Sequence, residues 1–110
     1  MNKTTYLGEL EQMILLAVLR LGDDAYGMSI RDELENRADR DVTRGAAYIT
    51  LERLAKKGYL KTRMGDPSPV RGGRAKRYYE LTDAGREALR ASGRALRNLW
   101  AEHEWLLEET

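Results

Sequence analysis

Residues 42–58 read VTRGAAYITLERLAKKG, and the rest of the chain is organised around this stretch. Thr43 can cap a helix, because its hydroxyl can accept an otherwise unsatisfied backbone N–H of the first turn. Gly58 is suited to end that helix. The apolar residues between them recur at i, i+4, i+7 and i+8 and are Ala47, Leu51, Leu54 and Ala55. This spacing predicts a helix of about 14 residues with one narrow apolar face.

The opposite face of this helix is basic, aromatic and rich in small side chains. It comprises Arg44, Gly45, Tyr48, Ile49, Thr50 and Arg53. A helix with such a face fits the major groove of DNA. The alternative is an ordinary surface helix with solvated charges, and the flanking sequence has to decide between the two.

The net charge of +1 conceals a strongly uneven distribution. Residues 1–41 carry 5 Lys/Arg and 9 Asp/Glu, residues 42–79 carry 10 and 2, and residues 80–110 carry 4 and 7. The three segments therefore have charges of −4, +8 and −3. A basic middle between acidic ends predicts a localised surface for a polyanion, most commonly a nucleic acid.

Composition limits the remaining classes. The 110 residues suit one small domain, with 42% hydrophobic and 34% charged residues. There is no run of apolar residues that could cross a membrane and no apolar leader segment. The absence of cysteine fits a reducing cytoplasm. With one histidine and no phosphate-binding glycine loop after a strand, we expect no enzyme, no cofactor and no metal site.

Two helices are predicted before the key stretch. Residues 7–21 form the first, because apolar residues recur at steps of three and four. Leu15 and Leu16 widen its apolar surface, so we expect burial on two sides, against its own domain and a second subunit. Residues 26–37 form the second helix, in which Gly27 is expected to allow a close approach by a neighbouring element.

After Gly58 the apolar period changes from 3.6 to 2, which predicts strands at residues 59–64 and 76–81. The intervening residues 65–74 contain both prolines of the chain and form a long hairpin loop. Positive charge is concentrated at its far side, at Arg71, Arg74, Lys76 and Arg77. Such a tip can contact phosphates or the minor groove, and a solvated loop is the alternative.

The C-terminal segment predicts a long helix from Asp83 to about Glu108, capped by Thr82. Leu89, Leu96, Leu99, His103 and Leu106 follow a heptad spacing. A helix of about 39 Å is too long for the preceding body to cover, so we expect it to pack on a second copy. The alternative is a helix folded back on its own domain.

The order of three helices, a hairpin and a long helix is that of a winged helix-turn-helix, a mainly α (α+β) fold. The chain resembles the PadR family of bacterial transcriptional regulators, in the short form with a single C-terminal dimerisation helix. The matching segments are residues 7–16, 25–27, 43–54, 58–60 and 72–85. Two positions depart from the family pattern: Ala46 replaces a hydroxyl-bearing residue and Ile49 replaces a proline.

The resemblance implies a homodimer that binds an operator and represses transcription, with residues 1–82 as the DNA-binding domain and 83–110 as the dimerisation helix. Helix 43–57 would be the recognition helix and residues 72–77 the wing. The expected contacts to double-stranded DNA are Thr43, Arg44, Gly45, Ala46, Tyr48, Thr50, Arg53, Arg71, Gly72, Gly73, Arg74, Lys76 and Arg77. Tyr79 and Leu81 are expected to pack beneath the wing.

The expected dimer interface comprises Leu10, Ile14, Leu89, Leu96, Leu99, Trp100, His103 and Leu106. Some regulators of the family hold planar aromatic compounds between subunits, and Trp100 could stack on such an effector. Anchoring of the dimer is the alternative role for Trp100, and we favour it. If His103 must stay neutral at the interface, acid would loosen the dimer.

The main competing function is a winged-helix module that binds protein partners and not DNA. The charge of +8 in the middle segment, which contains only Glu52 and Asp66 as acids, argues against this alternative.

Overall fold

The structure, a computed structural model, describes residues 6–65 and 75–109. Its element order is the predicted one, a mainly helical winged helix-turn-helix with a small sheet. The helices are α1 (Glu9–Leu21), α2 (Gly27–Ala38), α3 (Arg44–Lys56) and α4 (Asp83–Trp100), and the strands are β1 (Leu60–Met64) and β2 (Arg77–Leu81). Short 3₁₀ turns cover Gly22–Asp24 and Glu104–Glu108. Among these helices, none has the length and hydropathy needed to cross a bilayer.

The core lies where α1, α2 and α3 meet, and β2 and the start of α4 close it. Its largest fully buried side chains are Ile14, Leu15, Ile30, Leu51 and Leu54. Each comes from the apolar stripe that its helix presents at steps of three and four residues. Burial of one such side chain contributes roughly 1.5–3 kcal/mol, so this cluster fixes the orientation of α3 on the other two helices.

The two strands pair antiparallel, with Leu60 opposite Leu81 and Met64 opposite Arg77. The connection between α1 and α2 forms an isolated antiparallel β-bridge with β2, between Tyr26 and Tyr78. There the Tyr79 N–H donates a hydrogen bond to the Ala25 carbonyl at 2.9 Å. The sequence does not predict this pairing, which ties the base of the wing to the start of α2.

The first half of α4 belongs to the core. Thr82 caps the helix as predicted, because its hydroxyl accepts the Gly85 N–H at 3.0 Å. Leu89 and Ser92 are buried, and the Ser92 hydroxyl accepts the Leu7 N–H at 2.9 Å. This hydrogen bond joins the N-terminal segment to the middle of α4.

The prediction of a continuous helix to about Glu108 is wrong. Helix α4 ends at Trp100, since Ala101 has extended ψ and Glu102 adopts a left-handed backbone with φ +70°. Every residue from 101 to 109 is exposed. No tertiary packing in this chain therefore holds that segment in a helix, and the heptad spacing is interrupted before His103.

Candidate nucleic-acid interface

Helix α3 begins where the sequence predicts. The Thr43 hydroxyl accepts the Ala46 N–H at 3.1 Å, which satisfies one free donor of the first turn. Val42 and Ala47, on either side of the cap, are buried against the core. The start of α3 is therefore fixed both by a hydrogen bond and by apolar packing.

The outward face of α3 is exposed and free of the core. Arg44, Gly45, Ala46, Tyr48 and Arg53 all lie on the solvent side. Tyr48 is 56% exposed although its ring is large and apolar. The small residues beside it leave room for a close approach by a partner backbone or base edge.

Thr50 does not belong to this face. Its side chain is buried, with 5% of its surface exposed, and its hydroxyl donates to the Ala46 carbonyl at 2.9 Å. The prediction that Thr50 contacts DNA is wrong, because Thr50 lies on the buried face of α3 together with Ala47, Leu51 and Leu54. Its only hydroxyl proton is donated within the helix.

Strand β2 is joined to α3 by an ion pair. Nη1 of Arg77 lies 2.8 Å from Oε1 of Glu52, and both side chains are almost half exposed. Interaction with the Tyr79 side chain, and after it the negative charge of Glu52, raises the pKa of Arg77. Burial raises the pKa of Tyr79. Arg77 is thus a permanent cation held between β2 and α3.

A second group of cations and aromatic rings forms the base of the wing. The Lys76 ammonium lies 4.0 Å from the centre of the Tyr26 ring, and the Arg63 guanidinium lies 4.5 Å from that of Tyr78. The two rings meet edge to face with centroids 5.6 Å apart. In the chain without DNA, the ammonium of Lys76, a predicted DNA contact, is therefore held by a cation–π contact. An approaching phosphate would have to replace this contact or share the ammonium with it.

Four predicted contacts of the wing tip, Arg71, Gly72, Gly73 and Arg74, lie outside the described residues. Tyr79 and Leu81 are buried, so their predicted packing role beneath the wing agrees with their burial.

The predicted dimer interface separates into two sets. Ile14 is fully buried and Leu89 is 9% exposed, so both predictions are wrong because these side chains fill the core of their own chain. Leu10 is half-buried and packs on that core. The remaining predicted residues are more accessible: Leu96, Leu99, His103 and Leu106 are exposed and Trp100 is half-buried.

The sequence profile of the transcriptional regulator PadR-like family matches residues 15–91, about two thirds of the chain. The chain belongs to this family. The match begins within α1 and continues through α2, α3, the wing and the first half of α4, so it covers most of the segments that carry the resemblance.

Solved structures of PadR-family regulators have the same fold. One from Clostridium difficile is 22% identical over 91% of this chain and 99% of its own, with a TM-score of 0.73. One from Bacillus cereus is 24% identical over 92% and 93%, with a TM-score of 0.71. One from Bacteroides fragilis is 28% identical over 82% of each chain, with a TM-score of 0.70. Among curated protein sequences, none matches this chain significantly.

Within this PadR-family fold, the outward face of α3 also includes Glu52, which is not among the predicted DNA contacts. Residues 45, 49, 52 and 56 follow one another at steps of four, three and four, which places them along one line of a helix. Glu52 belongs to this line, opposite the buried stripe. The same helical spacing that predicted the buried face could have identified Glu52.

Proposed function

We propose that this chain is a sequence-specific DNA-binding repressor that binds a pseudo-palindromic operator as a homodimer. The observation that carries the proposal is the outward face of α3, where exposed Arg44, Tyr48 and Arg53 surround small residues on a helix anchored firmly to the core. Guanidinium groups can pair bidentately with guanine or phosphate. Lys76 and Arg77 at the wing would add contacts to flanking phosphates.

Selection of bound duplexes from a random DNA library tests this proposal. We expect an enriched inverted repeat with half-sites about one helical turn apart. Affinity for the selected site should fall steeply with salt, with a log–log slope of about −0.9 for each phosphate neutralised. Arg53→Ala should weaken binding to that site at fixed salt. The matched control is Arg94→Ala, which removes an exposed arginine from α4, away from this face.

The dimer in this proposal would use the second half of α4. Leu96 is 46% exposed and Leu99 is 77% exposed, although the same helix buries Leu89 two turns earlier. Exposed leucines in such a row are suited to a partner surface. Sedimentation analysis should find a dimer for the wild-type chain and a shift to monomer for Leu99→Asp. Asn98→Asp introduces the same carboxylate at the neighbouring exposed position and should leave the dimer intact.

Trp100 is foremost a dimer anchor in this proposal, and its second role is to stack on a planar aromatic effector that releases the regulator from DNA. The half-buried indole at the end of α4 supports it, because a second subunit would enclose the ring further. A panel of planar aromatic compounds tests this role through quenching of tryptophan fluorescence. Quenching should occur in the wild-type chain and in Trp105→Phe, which retains Trp100. Quenching that disappears in Trp100→Phe is the expected result.

The alternative is a winged-helix module that binds a protein partner. The exposed Ile49 and Tyr48 on α3 favour it, because both present apolar surface beside the basic residues. Absence of DNA binding at low salt would decide for this alternative.

A further inference from the structure

Glu52 is placed where a DNA-binding protein rarely benefits from a negative charge. It lies on the outermost line of α3, between the exposed Ile49 and Lys56, and its side chain is 42% exposed. Residues 42–79 contain ten basic residues and only one other acid, Asp66. A carboxylate at this position repels the phosphate backbone, so it does not serve general affinity for DNA.

The chemistry of the major groove gives such a carboxylate a specific partner. An ionised carboxylate only accepts hydrogen bonds, and the cytosine edge presents the N4 amino group as its donor there. Guanine and thymine present acceptors at the corresponding edge and would be repelled. Adenine presents a donor at N6, but its N7 acceptor lies beside that donor, so a carboxylate that meets adenine also meets an acceptor. The charge that costs general affinity therefore becomes a means of discriminating between bases.

Arg77 holds the carboxylate in place for this role. Its Nη1 donates to Oε1 of Glu52 at 2.8 Å. No donor in the described part of the chain bonds Oε2, so that oxygen can accept from a base. The guanidinium comes from β2, which is itself tied to Ala25 through the Tyr79 N–H. The side chain of Glu52 is thus ordered before binding, which reduces the entropy lost on contact with a base.

We propose that Glu52 reads a cytosine in the major groove of each operator half-site and that Arg77 is the residue that positions it. The inference rests on the proposed DNA-binding function and adds a base identity to it. It also gives Arg77 a role distinct from phosphate binding, because the ion pair to α3 acts on specificity.

Parallel selections from one random library, with the wild-type chain, Glu52→Gln and Glu80→Gln, test the inference. Glu80 is an exposed carboxylate on β2 and its removal changes the net charge equally, so it is the matched control. We expect Glu52→Gln to reduce cytosine enrichment at a single position per half-site by roughly 5- to 100-fold and to favour adenine there, since glutamine pairs with adenine. Glu80→Gln should keep the wild-type motif, and low-salt affinity for random DNA should not fall in either variant.

A wild-type motif that Glu52→Gln retains at every position would overturn this inference alone. A wild-type chain that enriches no motif would overturn the proposed function and this inference with it. For the positioning role, Arg77→Ala should weaken the preference at the same position, and the double variant should lose no more of it than Glu52→Gln. An unchanged preference at that position in Arg77→Ala would show that Arg77 does not position Glu52.

Discussion

Gly85, in the first turn of α4, is the position where one added methyl group should do the most damage. A Cβ built there would lie 2.1 Å from the Tyr59 carbonyl oxygen and 3.1 Å from a methyl group of Leu81. Ordinary van der Waals contact begins at 3.4 Å, so α4 or the Tyr59 backbone must move by roughly 1 Å. The Thr82 N–H, which donates to the same Tyr59 oxygen at 3.1 Å, would be disturbed by that movement.

The expected cost of Gly85→Ala combines these effects. Overpacking costs about 1–3 kcal/mol, and weakening of the Thr82 hydrogen bond adds about 1 kcal/mol. The better helix propensity of alanine returns at most about 1 kcal/mol. We expect the free energy of unfolding to fall by about 1–4 kcal/mol and Tm to fall by about 4 °C or more for each kcal/mol.

Gly93 in the same helix provides the comparison. A Cβ there meets nothing within 4 Å, so Gly93→Ala should raise stability by up to about 1 kcal/mol through helix propensity. Urea unfolding followed by circular dichroism at one protein concentration measures both variants. If both substitutions shift stability in the same direction, or if Gly85→Ala is as stable as the wild-type chain, the close approach at Tyr59 does not constrain the fold.

Three further substitutions test the fold. Ser92→Ala leaves the buried Leu7 N–H without its acceptor and should cost about 1–3 kcal/mol in urea unfolding; a loss below 0.5 kcal/mol, roughly that of a neutral surface change, would contradict this. Thr43→Ala removes the cap of α3 and should cost about 1 kcal/mol, whereas Thr62→Ala on the exposed face of β1 should cost less. Burial opposes ionisation of Glu11, but hydrogen bonds from Lys57 and the Gly8 N–H outweigh it and lower its pKa. The pKa of Glu11 is therefore lower in the folded chain than in the unfolded chain, so its stabilising contribution is present at neutral pH and disappears as pH falls through the folded-state value. The difference in thermal stability between the wild-type chain and Glu11→Gln should shrink in acid, and a difference that is constant from pH 7 to pH 3 would refute the assignment.

The helix-turn-helix could be read from the sequence because its signals are local. The hydroxyl of Thr43, the apolar stripe of α3 and the change to period 2 after Gly58 each act within a few residues, and the structure has a helix and two strands where they indicate. The polarity of threonine wrongly suggests that Thr50 is exposed. Its hydroxyl donates a hydrogen bond to the Ala46 carbonyl in the preceding turn, so the side chain can be buried.

The errors elsewhere concern contacts between distant segments. Gly27 was expected to permit a close approach, yet a Cβ there meets nothing within 4 Å, and Gly85 has that role. A glycine in a helical pattern does not reveal which neighbour it faces. Likewise, the heptad spacing through Leu106 could not reveal that the backbone turns at Glu102, because the exposed residues beyond Trp100 have no packing that would extend the helix.

The hydrogen bond between Leu7 and Ser92 has a consequence for how the chain is made. It joins residues 85 positions apart, and closing a loop of that length costs about 4 kcal/mol of chain entropy beyond a constant term. The N-terminal segment cannot take its final place until residue 92 has left the ribosome, several seconds after its own synthesis at about 5–20 residues per second. Until then the side of α1 that α4 will cover is open to water, and the nascent regulator completes its core only after the first half of α4 has been synthesised.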